Sequence, residues 1–124
     1  MAVAAKSNGG SATAEARAIA EPESNIANML KWMKGHPGPI YTSRAHPDYP
    51  GLIEYPLAEV LNNTHGVVYF NSTAAYAVAF AIYLGVKKIY CFGIDFSMSH
   101  SHRAEKGRAC FEFWLGFARA RGID

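Results

Sequence analysis

The sequence predicts an α/β fold, a small or truncated three-layer arrangement in which helices cover a parallel sheet. Three observations predict it. Two short runs rich in β-branched and aromatic residues, "GVVYF" (66–70) and "KKIYCFG" (87–93), bracket an apolar stretch of helical length at 72–84. Together they occupy about the ~30 residues of a strand–helix–strand unit, whose crossover is right-handed almost without exception and makes its two strands parallel. A long amphipathic pattern at 103–121 then supplies a helix to cover the sheet.

With 124 residues, half of them apolar and 18% charged, the chain suits a single core. Its net charge of +2 is spread over Lys87-Lys88, Arg103 to Arg108 and Arg119 to Arg121 with acids interleaved, so no basic stripe points to nucleic acid. No stretch supplies the ~20 uninterrupted apolar residues of a membrane span, and the N-terminus lacks the apolar centre of a signal peptide. The expected location is cytoplasmic. On that expectation the triplets at Asn62 and Asn71 are chance matches to a glycosylation signal. Cys91 and Cys110 lack zinc-site spacing and read as buried free thiols.

Taken in order, residues 1–21 are rich in Ala, Ser, Gly and Glu, with little beyond Ile19 to bury, and read as a flexible N-terminal tail ahead of an α/β domain at 22–124. "KSNGGS" (6–11) has the look of a phosphate loop, but no convincing strand precedes it and a flexible leader is the plainer reading. Pro22 opens a helix in which Ile26, Met29, Leu30 and Met33 recur at helical spacing until Gly35. "HPGP" stops it, "IYTS" (40–43) reads as a short strand, and a loop with Pro47, Pro50 and Gly51 carries Arg44, His46 and Asp48. One or two turns of helix follow at 57–61, closed by Asn62-Asn63. The helix at 72–84 has Ala at 74, 75, 77, 79 and 81, small enough for close packing on a sheet, and ends at Gly85. Tyr69, Tyr83, Tyr90 and Trp114 read as core or core-edge aromatics. Ile123-Asp124 looks like the start of a further strand, which leaves the sheet cut short or finished by a partner, a second copy included.

If the two strands are adjacent and parallel, their carboxyl ends deliver Asn71-Ser72-Thr73 and Gly93-Ile94-Asp95 to one crevice. The triplet starts a helix whose first N–H groups lack partners. Asn71 or Ser72 can cap them, and the positive end of the helix suits a phosphate. An acid there would repel a bare phosphate, so Asp95 is better suited to a sugar hydroxyl, a base amine or a divalent cation bridging to phosphate. The bland alternatives are that the triplet is only a cap and Asp95 only a turn residue. The loop "SMSHSH" (97–102) adds Ser97, and His100 and His102 as proton carriers or metal ligands, with Arg103 able to pair with phosphate. Solvated, idle side chains are the competing reading. His46 and Arg44 reach the same edge only if the strand at 40–43 is also parallel to it, and His36 and His65 read as structural.

The stretch Ala79, Ala81, Leu84, Gly85, Lys87, Ile89, Tyr90, Gly93, Ile94, Asp95, Phe96 resembles the strand–helix–strand of Rossmann-like transferases. Similar elements belong to bacterial CMP-sialic acid sialyltransferases, motility accessory proteins of flagellin glycosylation and archaeal-type 6-hydroxymethylpterin diphosphokinases. From about Trp32 onward the chain looks most like bacteriophage and prophage proteins, which implies host-cell cytoplasm. The resemblance implies a nucleotide or diphosphate donor lying near Ser72, Thr73 and Asp95; in a working enzyme Asp95 would take the sugar or a magnesium ion, the one candidate cofactor. It departs from the sialyltransferases at Ser97, where they usually carry a tyrosine, and it lacks their opening strand and Asn-Gly-Pro-Ser-type turn unless Asn8-Gly9-Gly10-Ser11 stands for it. The expected function is binding of a nucleotide or phosphorylated small molecule, with glycosyl or diphosphoryl transfer. Asp95, His100 and His102 are its catalytic candidates, and Asn71, Ser72, Thr73, Ser97 and Arg103 its ligand-binding candidates. A non-catalytic phage protein that binds a metabolite or another protein is the alternative.

Overall fold

Proline, glycine and apolar spacing set the element boundaries. The computed structural model describes residues 22–96 and 102–124; the "KSNGGS" segment, Ser97 and His100 lie outside them. The elements are α1 (Pro22–Gly35), β1 (Ile40–Thr42), β2 (Leu52–Glu54), α2 (Leu57–Asn63), α3 (Thr73–Tyr83) and α4 (His102–Ala120). They fall into two units, Met1–Tyr55 and Pro56–Asp124.

In the first unit, α1 starts at Pro22 and ends at Gly35, as its sequence signals predict. Its apolar face is not buried: Ile26, Met29 and Trp32 are all more than half exposed. After "HPGP", β1 pairs in parallel with β2, in the register Ile40 with Leu52, Tyr41 with Ile53 and Thr42 with Glu54. The sequence reading missed β2, placing Leu52 to Glu54 outside any element. Parallel strands usually need a crossover of a dozen or more residues, whereas here only 43–51 intervene. Local bonds fold that loop back on itself: Tyr49 N–H donates to His46 O at 3.0 Å and Leu52 N–H to Tyr49 O at 3.0 Å. Gly51 is buried at the closing point. A Cβ there would stand 2.7 Å from the His36 carbonyl oxygen and 2.9 Å from that of Gly38, so no side chain fits without moving backbone.

The second unit is built on helices. α3 packs on α4 and α2 packs on α3. Val60 from α2, Ala75, Val78, Ala79 and Ile82 from α3, and Cys110, Phe111, Trp114 and Ala118 from α4 form the core, with Ile123 at its edge. Ala75 and Ala79, four apart on one face, are both completely buried and let the helices approach closely. Trp114, also fully buried, stacks on Phe70 with ring centroids 5.1 Å apart. Arg121 closes the far end, donating to the last carbonyl of α2, Asn63 O, at 2.5 Å, with its guanidinium 5.2 Å above the Phe117 ring. A cation at that helix terminus also meets the negative end of the dipole.

This architecture overturns the expected three-layer Rossmann-like parallel sheet. The described residues hold one two-stranded sheet, and it is β1–β2 in the first unit. Residues 66–70 and 87–93 form no ladder with each other; their polar groups turn elsewhere. Tyr69 O accepts from the Trp114 indole N–H at 2.7 Å and from the Cys110 thiol at 3.1 Å. Asp124 N–H donates to Lys87 O at 3.0 Å, and Ile89 N–H to Asp124 O at 2.8 Å. That last pattern is parallel pairing begun at one residue, as expected of a strand starting at Ile123-Asp124. The helices the sequence predicted for this region are all present. The sheet beneath them is not, because a strand is secured by neighbours on its edges, and two short segments with a two-residue third fall below the three strands that hold together independently.

The side chains follow. Tyr90, expected at the core or its edge, is 74% exposed, and Cys91, expected to be a buried thiol, is exposed as well.

Candidate ligand-binding site

α3 begins where the sequence places it. Ser72 is its N-cap, in extended backbone, with Oγ accepting from Ala75 N–H at 3.3 Å. The residue before it is held from behind, because Asn71 N–H donates to the buried Cys110 sulfur at 3.3 Å. Cys110 thus joins the two chain positions flanking Phe70, giving its proton to Tyr69 O and taking one from Asn71. These bonds fix the path into α3, whose first residue, Thr73, is exposed while Ala75 in the same turn is buried in the core.

The Asp95 loop arrives at the same place through Phe96. Gly107 of α4 is buried, and a Cβ added to it would lie 3.0 Å from Phe96 Cε1 and 3.8 Å from Ser72 Cβ. The α3 start and the residue next to Asp95 therefore meet over one glycine. The Phe96 ring also packs against Phe111, centroids 5.9 Å apart. Ser72 and the Phe96 ring thus share a neighbour in α4, brought together by helix packing rather than by a parallel strand pair.

The other site residues divide. Asp95 is exposed beside Phe96. His102 opens α4, its side chain almost wholly exposed and its Nδ1 3.9 Å from Glu105. Arg103 is exposed on the same first turn. Five residues of helix, about 7.5 Å of rise, separate His102 from Gly107. Arg44 and His46 belong to the first unit, where His46 Nδ1 accepts from Asp48 N–H at 3.2 Å. His36 Nδ1 accepts from Gly38 N–H at 3.1 Å, the structural role expected of it.

No group of three or more His, Cys, Asp or Glu able to hold a metal occurs among the described residues. A lone carboxylate such as Asp95 suits magnesium only in the mode where substrate phosphates and water supply most of its ligands. A shallow hollow of about 180 Å³ lined by Arg119, Gly122, Ile123 and Asp124 lies at the other end of α4, smaller than ordinary ligand sites.

Sequence reasoning missed Gly107, Phe96 and Cys110 as parts of this site. A glycine inside a strong helical pattern was the available signal for Gly107, since such a residue usually marks a close approach. No helix among the described residues is long and apolar enough to cross a membrane. No protein-family model matches the chain, and no curated protein or solved structure is significantly similar to it.

Proposed function

We propose that the Pro56–Asp124 unit binds a nucleotide or another phosphorylated small molecule at the start of α3, and acts as a glycosyl or diphosphoryl transferase. The observation that supports this reading is the meeting of Ser72, the cap of α3, and the ring of Phe96, the chain neighbour of Asp95, over Gly107. Unbonded N–H groups of the first turn and the positive end of the helix dipole attract phosphate oxygens. Asp95 then engages a sugar hydroxyl, where a carboxylate accepts a proton-donating partner, or a magnesium ion shared with the phosphates. Magnesium, when bound, would supply neutralisation of phosphate charge. Arg103 offers a further anion partner, and His102 carries the proton exchanged with the acceptor hydroxyl. Such transfer depends on positioning and charge stabilisation more than on an elaborate nucleophile.

A thermal-shift screen of nucleotides, CMP- and UDP-sugars and pterins, each with and without magnesium, tests the reading. It expects one class to stabilise the protein and the effect to vanish in Asp95→Ala. Stabilisation by none of them would overturn it.

One observation favours a second reading, a non-catalytic protein that binds a macromolecular partner. Val68, Tyr90 and Phe92 are 75%, 74% and 84% exposed, and the Tyr90 and Phe92 rings lie parallel with centroids 6.5 Å apart, apolar surface that a partner could cover. Turnover of a nucleotide-sugar by the wild type and its loss in His102→Ala would decide for the enzyme.

A further inference from the structure

We propose that Gly107 is a positioning residue: its missing side chain makes the seat on which the Phe96 ring closes, and this seat holds the Asp95 loop against the start of α3. The inference deepens the ligand-binding reading, on which its consequence for ligand rests, but the seat itself can be tested without any ligand.

Three observations carry it. Gly107 lies inside α4, where glycine ordinarily weakens a helix and alanine ordinarily strengthens it. It is also buried, and the Phe96 ring occupies the space of its absent Cβ, with Cε1 at 3.0 Å and Cδ1 at 3.5 Å. Contact at 3.0 Å is tighter than nearly all that a Cβ makes, so an alanine forces the ring to shift in its seat by a few tenths of an ångström. Phe96 itself has φ of 49°, left-handed backbone that a bulky residue adopts only when its surroundings hold it there. Those surroundings are Gly107 below the ring and Phe111 beside it. Remove the seat, and the turn from Gly93 (φ 66°) through Phe96 loses what keeps it wound, and the Phe96 ring parts from Ser72.

The test uses the full chain in a Trp32→Phe background, so that Trp114 emission reports the second unit. Melting temperatures are compared for that background, Gly107→Ala, Phe96→Leu and the double variant. The seat predicts that Gly107→Ala lowers Tm by about 4–8 °C, and that Phe96→Leu, a shorter side chain, restores part of this loss in the alanine background. A helix glycine with no seating role predicts the opposite sign, a raised Tm, and either that result or strict additivity in the double variant would overturn the proposal. A second measurement separates positioning from general packing: in amide NMR spectra Gly107→Ala should displace the Asp95 and Phe96 signals, and Phe96→Leu should move them back toward their original positions, with the core amides around Val78 unchanged throughout. Displacement spread evenly over the core would also overturn it. CMP with magnesium is the ligand probe. If CMP binds, Gly107→Ala should weaken it and the double variant recover part of the loss; absence of CMP binding counts against the ligand reading, while the melting and NMR arms still decide the seat.

Discussion

The second unit has a core and the first, over its described residues, has almost none. All the buried apolar side chains among the described residues lie between Val60 and Ile123, in α2 to α4 and the chain just after them. Between Asn25 and Tyr55 the only residue described as buried is Gly51, which has no side chain to bury. The first stretch is poorer in apolar residues than the second, but it does not lack them: α1 carries Ile26, Met29, Leu30, Trp32 and Met33. What sets the two apart as much as composition is what faces what. Hydrophobic side chains stabilise only when their area leaves water, and α3 and α4 give each other that opportunity through small residues at 75 and 79 and large ones at 111 and 114. The first unit is held instead by backbone geometry: a three-residue parallel pair, a self-bonded loop and a glycine pressed against two carbonyls.

That contrast makes ordered predictions. Trp114→Ala should do most harm, removing a fully buried ring and its bond to Tyr69 O, with a loss of about 3–5 kcal/mol in urea unfolding followed by circular dichroism. A loss below about 1 kcal/mol would mean that the helical core is far less consolidated than its burial implies. Gly51→Ala comes next, since the new methyl group meets backbone rather than a movable side chain. About 1–3 kcal/mol is expected, read as loss of protection of the Ile40 amide, which donates to Gly51 O, in hydrogen exchange. Ser72→Ala should cost about 1 kcal/mol through the lost cap on Ala75, visible as reduced helicity and earlier melting. Trp32→Ala, more than half exposed, should change stability by less than about 0.5 kcal/mol in the same unfolding assay. Comparing the two tryptophans is the sharpest form of the contrast, because the same substitution is asked of both units.

Helix positions were legible in the sequence because their causes are local. Pro22 and Gly35 bound α1, Ser72 caps α3, and apolar spacing marks α4. The expected sheet failed because strand formation depends on an edge partner, and nothing in "GVVYF" or "KKIYCFG" states whether one is within reach. β2 went unread for a related reason. "LIE" is too short to carry periodicity, and its strand character comes from Ile40 to Thr42 lying alongside. At the candidate site, two strands were expected to bring Asn71-Ser72-Thr73 and Asp95 together. What the structure shows is Ser72 and the Phe96 ring meeting at Gly107 of α4, a contact that no local pattern in the sequence states.

The two thiols give the chain an internal clock. Cys91 stands in solvent, while Cys110 is sealed at the centre of the second unit with its sulfur engaged by Tyr69 and Asn71. An alkylating reagent should therefore consume one equivalent at once and a second only as often as the helices part. The delay between them measures, without any substitution in the sequence, how often this core exposes itself.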